Sequence, residues 1–207
     1  YTPPRDPEAI EMLSKAYFDS GYNIGAMLRT LFNSDFFKNE SARFARVKSP
    51  IEMVVGAHRF SGNITQPTFN IGDSAEQCLF MNQGPMQPPS VEGWHEGMEW
   101  IDSGTLVERV NFASKELSDI HQPGARSIIE RLSTINGGIL SPSSLVNNCL
   151  ELLGTVNATD DTKAILTTFA EQFGDVDLRN HKPGDDSEKT VGNIMRLIAS
   201  TKEYQLC

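Results

Sequence analysis

The sequence of 207 residues lacks long hydrophobic runs and is poor in basic side chains. No apolar stretch approaches the roughly 18 residues that a membrane-spanning helix requires, so the sequence predicts no membrane span. Eighteen lysines and arginines stand against 27 aspartates and glutamates, which gives a formal net charge of −9. Because phosphate backbones and anionic lipid headgroups require a basic surface, this balance argues against nucleic acid or a charged membrane as the partner.

Cysteine is scarce and widely spaced. The three cysteines are Cys78, Cys149 and Cys207, and no CxxC or Cys/His cluster occurs, which argues against a zinc site. Cys78 and Cys149 fall on apolar helical faces, where a buried free thiol is expected. Cys207 lies at the end of the sequence as a free or paired thiol, and the spacing leaves any disulfide pairing open.

The familiar catalytic motifs are also missing. The sequence contains no GxSxG, Walker loop, HExxH or GxGxxG, and nothing in it positions its serines and histidines for catalysis. One acidic stretch has Asp175, Asp177 and Asp186 at the first, third and twelfth positions of a calcium loop. Arg179 and Asn180 occupy the fifth and sixth positions, where a ligand and a glycine are required, so we expect no metal there and no cofactor elsewhere.

What the sequence does contain is helical periodicity nearly throughout. Apolar residues recur at spacings of three and four between capping residues and glycines, which predicts about nine helices, no convincing strand and an all-α, irregular multi-helix fold. We expect Asp6, Asn23 and Ser49 to cap helices, Asp160 or Asp161 to precede another, and Ser187 to cap the last one. The side chains expected to face inward are Ile10, Leu13, Tyr17, Phe32, Phe36, Phe37, Ile51, Val54, Val55, His58, Leu106, Val110, Ala113, Leu117, Val191, Ile194, Met195 and Ile198.

The pattern favours one all-α domain over residues 1–207, and a boundary, if one exists, would fall at Asn136–Ser141, where glycines and a Ser-Pro step interrupt the helices. The sequence opens with Tyr1-Thr2-Pro3-Pro4-Arg5, which is not the product of a start codon. We therefore expect a processed or partial chain.

A long loop between residues 83 and 102 is the most distinctive segment. It contains Pro88-Pro89, Gly93-Trp94 and Trp100-Ile101, and both tryptophans of the sequence. Trp94 and Trp100 suggest an aromatic platform for a sugar or a Pro-rich peptide, or a pair of anchors that fix the loop on the core. His95, Glu96 and Glu99 are its acid/base candidates, although a solvated acidic loop is the simpler interpretation.

Two further side chains stand out on the predicted helices. Arg109 lies beside the apolar face of the helix that follows the loop, and a buried arginine needs carboxylate or carbonyl partners, so we expect it to brace the loop. His58 lies on an apolar stripe, where a hydrogen-bonded core histidine is the expected role.

Three segments resemble a bacterial family of large exported proteins catalogued as domain of unknown function eighteen hundred. They are KSPIEMVVGAHR (48–59), QPPSVEGW (87–94) and GMEWIDSGTLVERVNF (97–112). The match is to the C-terminal part of the family, whose longer N-terminal part is expected to be missing here. The resemblance implies an exported, largely helical protein, and it supplies no catalytic residues.

The function expected from these observations is a helical module, exported or on the cell surface, that acts by protein–protein assembly or binding. Its partner is another protein or the missing N-terminal part of the same protein. The expected binding residues are Trp94, His95, Glu99, Trp100 and Arg109, with the loop as the functional face. The alternatives are a hydrolase or a glycan-binding protein that acts on cell-envelope or extracellular polymer.

Overall fold

The computed structural model describes residues 6–40, 44–64, 66, 71–154 and 157–207, and in them the fold is all-α. These residues form ten α-helices and one short sheet, which confirms the predicted fold class. The described helices are α1 Pro7–Asp19, α2 Ile24–Asn33, α3 Asp35–Lys38, α4 Pro50–Ser61, α5 Ile71–Phe80, α6 Ser103–Ser118, α7 Pro123–Thr134, α8 Pro142–Leu152, α9 Asp160–Glu171 and α10 Asp186–Ala199.

A two-stranded antiparallel sheet, which the sequence pattern did not predict, joins β1 (Ile139–Leu140) to β2 (Val176–Asp177). Each strand has only two residues, too few for an alternating pattern to be recognised. Short 3-10 segments lie at Gly97–Trp100, Ile135–Gly138 and Glu203–Gln205.

The chain divides into two compact units, one of residues 1–46 with Cys207 and one of residues 47–206. No division falls at Asn136–Ser141, which lies inside the larger unit. The prediction of a single domain over 1–207 stays a prediction.

The smaller unit contains the hairpin of α1 and α2 followed by α3. Asp6 and Asn23 cap α1 and α2 as expected, each accepting hydrogen bonds from first-turn backbone amides. The prediction that Phe32, Phe36 and Phe37 lie in the core is wrong for two of them, because Phe32 and Phe37 remain 52% and 46% exposed. A hairpin of two helices has too few facing elements to cover several large side chains.

The larger unit is built around α6 and α10, which pack against each other. α4 also packs on α6, and α8 packs on both α9 and α10. As expected, Val191, Ile194, Met195 and Ile198 of α10 are fully buried. Other fully buried core side chains are Ala57, Met81, Ala113, Ile129, Leu132, Leu140, Leu145, Val146, Cys149 and Leu178.

Two of the predicted helix caps are displaced by a few residues. Thr159, rather than Asp160 or Asp161, caps α9, and Asp185, rather than Ser187, caps α10. In both cases a suitable side chain precedes the predicted one, and its oxygen reaches the free first-turn amide.

The inward face of α6 matches the expected one at Ala113 and Leu117 and differs from it nearer the start of the helix. Thr105, Arg109, Phe112, Ala113 and Leu117 are buried, whereas Leu106 is 38% exposed. Arg109 is completely buried because it has polar partners inside the unit. Val55 of α4 is likewise 47% exposed, contrary to its predicted place.

Candidate functional site

The loop between α5 and α6, residues 83–102, is held at its start by a buried glutamine. Gln83 is 8% exposed, and its side-chain oxygen accepts a 2.9 Å hydrogen bond from the backbone amide of Ile51. Met81, just before the loop, is completely buried. The first end of the loop is therefore fixed on α4.

The far end of the loop is fixed by the cap of α6. Asp102 Oδ1 accepts hydrogen bonds from the amides of Gly104 (2.7 Å) and Thr105 (2.8 Å), and these bonds, the one from Thr105 foremost, lower the pKa of Asp102. Thr105 Oγ1 in turn donates a 2.9 Å hydrogen bond to the carbonyl of Trp100. This arrangement couples the last residues of the loop to the first turn of α6.

The two tryptophans lie on the inner side of the loop. Trp100 is only 5% exposed, and Trp94 is partly buried. Since Trp100 has no free ring face, it acts as an anchor of the loop rather than as a surface for stacking a sugar or a peptide.

His95 and Glu99 come together at the surface. His95 Nδ1 lies 2.6 Å from Glu99 Oε2, and the two side chains are 69% and 56% exposed. The spacing of four residues allows this contact across the 3-10 turn at Gly97–Trp100. A side-chain contact this exposed is screened by water and contributes little to stability.

Arg109 lies apart from the loop's outer face. Its Nε donates a 2.9 Å hydrogen bond to Gln205 Oε1, and its Nη2 donates a 2.6 Å bond to the carbonyl of Lys48. Burial lowers the pKa of Arg109 to about 10, so the guanidinium stays charged at neutral pH. Arg109 therefore joins the segment before α4 to the C-terminal segment, and both of these partners lie outside the 83–102 loop.

Three large apolar side chains, which the sequence analysis did not single out, project from the loop. Met86 is 91% exposed, Val91 is as exposed as in an extended chain, and Met98 is 62% exposed. We call them the apolar tips. They follow no helical or strand period, so a search for amphipathic patterns passes over them.

Comparison with family models agrees with the motifs of this loop. A model described as "Protein of unknown function (DUF1800)" matches residues 1–206. The chain belongs to the DUF1800 family. No curated protein and no solved structure matches this DUF1800 chain.

A second polar cluster of the DUF1800 chain lies in a groove of about 800 Å³ between α4, α5 and α6. His58 Nε2 lies 2.9 Å from Ser74 Oγ, and His58 Nδ1 lies 3.2 Å from Glu116 Oε2. His58 was expected in the core, but its side chain is 15% exposed and lines the groove. The sequence did not indicate Ser74 and Glu116 as partners of His58, because no local motif links residues on three different helices.

In this DUF1800 chain, the acidic stretch of residues 174–186 contains a local contact between Asp177 and Arg179. Hydrogen bonds from Arg179, together with its charge, lower the pKa of Asp177 to about 2. Within the described residues, no group of three or more His, Cys, Asp or Glu side chains is arranged to hold a metal ion. Of the helices described, none has the length and apolar character needed to cross a bilayer.

Proposed function

We propose that this chain is a helical module, exported or on the cell surface, that binds a protein partner through the apolar tips of the 83–102 loop. The observation that carries the proposal is the combination of anchored loop ends with three exposed apolar side chains. Met86, Val91 and Met98 lie on a segment whose ends are held by Gln83 and Trp100. A pre-organised loop loses little conformational entropy when it binds.

The backbone of the loop supports a functional role for the first tip. Met86 has φ 61°, in the left-handed region, while its side chain is almost fully in water. A non-glycine residue in this conformation costs on the order of 1–2 kcal/mol. No burial of the side chain offsets this cost in the free molecule, and such uncompensated strain is typical of binding segments.

The second tip is presented by a tight turn. The amide of Gly93 donates a 3.2 Å hydrogen bond to the carbonyl of Ser90, and the amide of Glu92 donates a 3.1 Å bond to Ser90 Oγ. Gly93 adopts φ 96°, which a side chain would disfavour. Val91 is held outward at the apex of this turn and is suited to enter a pocket.

The charges around the tips define the partner's chemistry. Glu92, Glu96 and Glu99 are exposed on the same loop, and the chain as a whole carries a net charge of −9. Charge complementarity then calls for a protein with an apolar pocket surrounded by lysines or arginines. The exported location rests on the family resemblance, whose members are expected outside the cytoplasm.

Site-specific photo-crosslinking in the source cells tests the proposal. A photoreactive residue at position 91 is expected to capture one stoichiometric protein. The same residue at Ile165, which is 71% exposed on α9, is the matched control and is expected to capture none of it. Equal capture from both positions, or none from position 91, would contradict the proposal.

The captured protein is then purified and titrated with polar variants. Met86→Ser combined with Met98→Ser is expected to weaken binding by at least about tenfold, because the lost apolar contacts are worth more than about 1.4 kcal/mol. Ile165→Ser is expected to leave the affinity unchanged. Replacing Trp100 would be a poor test, since its buried ring supports the fold itself.

A further inference from the structure

The groove between α4, α5 and α6 holds a serine, a histidine and a glutamate in the order of a hydrolytic triad. Ser74 Oγ lies 2.9 Å from His58 Nε2, and the other ring nitrogen of His58 lies 3.2 Å from Glu116 Oε2. We propose that Ser74 is the nucleophile and His58 the general base of a carboxylic ester hydrolase, with Glu116 as the positioning residue.

The triad is supported by neighbours that fix its members. The Phe112 ring lies edge-to-face with the His58 imidazole at 5.4 Å between centroids. Glu116 Oε2 accepts a 2.8 Å hydrogen bond from the Asn63 side-chain amide and a 3.4 Å bond from Ser61 Oγ. Such contacts fix the carboxylate beside the imidazole.

One hydrogen bond of the triad is incomplete in the free molecule. His58 Nδ1 is buried and makes no aligned hydrogen bond to a described residue, although Glu116 Oε2 is only 3.2 Å away. Catalytic hydrogen bonds are often loose before substrate binds and tighten in the complex.

The cluster is accessible from solvent, as a nucleophile and its general base must be. His58 and Ser74 line an open groove of about 800 Å³, large enough for a small organic molecule.

The groove also indicates the substrate class. Asp73, Glu76 and Glu108 line it together with the apolar groups of Ile64 and Phe112. These carboxylates repel an anionic acyl group, so the expected substrate is a carboxylic ester whose acyl group carries no negative charge. Gln77, Asn111 and Lys115 line the same groove, and their side chains carry N–H groups of the kind that would stabilise the oxygen that becomes negative in the transition state.

The reaction proceeds in two balanced steps. Ser74 Oγ bonds to the ester carbonyl carbon as its proton passes to His58 Nε2. The bond to the alcohol oxygen then breaks, and that oxygen leaves with the proton from Nε2. In the second step, water attacks the acyl-serine while giving a proton to His58. Release of the carboxylic acid returns that proton to Ser74 Oγ.

Covalent labelling and ester turnover test the proposal together. A fluorophosphonate probe is expected to modify Ser74, as located by peptide mass spectrometry, and the Ser74→Ala variant is expected to lose the label. With p-nitrophenyl acetate, Ser74→Ala and His58→Gln are expected to lower kcat/KM at least about 100-fold. Absence of label at Ser74, or turnover retained in Ser74→Ala, would overturn the proposal.

Controls separate the triad from surface chemistry and from misfolding. Exposed histidines hydrolyse activated esters slowly, so His121→Gln is the matched control and is expected to keep full turnover. Glu116→Gln is expected to lower kcat with little change in KM, and Glu116→Asp to restore part of it. If Glu116 had a structural role alone, Glu116→Gln and Glu116→Asp would change the unfolding midpoint, and kcat would not fall selectively while KM stayed nearly constant.

Discussion

Arg109 and Lys48 lie 61 positions apart, and the buried guanidinium of Arg109 donates a 2.6 Å hydrogen bond to the backbone carbonyl of Lys48. The same guanidinium donates to Gln205, so one side chain connects three distant parts of the larger unit. The backbone strengthens this junction, because the Lys48 amide donates a 2.8 Å bond to the Gln205 carbonyl.

We expect Arg109→Ala to lower the free energy of unfolding by about 3 kcal/mol, since it removes both hydrogen bonds, leaves the buried Gln205 Oε1 without this donor and opens a cavity. Arg109→Lys is expected to recover less than half of this loss, because an ammonium lacks the planar fork that reaches both acceptors. Urea unfolding measures both values. Arg131→Ala, at an exposed position of α7, is the control, and an equal loss in it would contradict the prediction.

The surroundings of Glu188 lead us to expect that the free energy of unfolding depends on pH. It is completely buried, which alone would raise its pKa. Hydrogen bonds from Arg126, Gly184 and His181 outweigh the burial and hold the pKa below its ordinary value of 4.5. The carboxylate of Glu188 binds a proton more readily in the unfolded chain than in the folded one. Its contribution to the free energy of unfolding is therefore fully present above about pH 4.5 and is lost as the pH falls through the pKa of Glu188 in the folded protein.

The variant Glu188→Gln is expected to be less stable by about 2 kcal/mol at pH 7 and to lose less further stability on acidification. Urea unfolding at pH 7, 5, 4 and 3 gives the comparison. Glu151→Gln, at an exposed position, is expected to follow the parent chain. Parallel curves for the parent chain and Glu188→Gln would rule out this role.

Two glycines form a matched pair for a test of close packing. A Cβ at Gly124 would lie 1.9 Å from the carbonyl oxygen of Phe60, whereas a Cβ at Gly56 meets no atom within 4 Å. Gly124→Ala is therefore expected to cost at least about 3 kcal/mol, because backbone must move. Gly56→Ala, inside α4, is expected to stabilise the fold by about 0.5–1 kcal/mol. The midpoints of thermal unfolding of both variants test this prediction. Shifts of the two midpoints in the same direction would contradict it.

The cysteines are expected to differ in reactivity. Cys207 is exposed, whereas Cys78 and Cys149 are buried free thiols, as the sequence predicted. Burial raises the pKa of Cys149 to about 12 and that of Cys78 above its ordinary value, which leaves almost no thiolate at neutral pH. Iodoacetamide is expected to modify Cys207 alone in the native protein and all three in urea. Mass spectrometry counts the labels, and three labels without denaturant would refute the burial.

Much of the helical framework could be predicted from interactions between residues that are close together in the sequence. A cap such as Asp6 or Ser49 forms its hydrogen bonds within three residues, so its effect can be read from adjacent positions. The face of α10 was predicted correctly because its apolar stripe is unbroken from Val191 to Ile198. The loop of residues 83–102 was recognisable from its prolines, glycines and tryptophans, although the solvent exposure of its apolar tips was not.

The sequence by itself thus determined the all-α class, most helix starts, the family and the burial of Cys78 and Cys149, because each depends on short-range periodicity or a local motif. Tertiary structure alone decided that Arg109 faces inward in place of Leu106, since only distant acceptors at Lys48 and Gln205 make its burial favourable. It alone also brought Ser74 and Glu116 to His58. No local sequence period links these side chains, which are far apart along the chain. Whether they come together therefore depends on how α4, α5 and α6 pack.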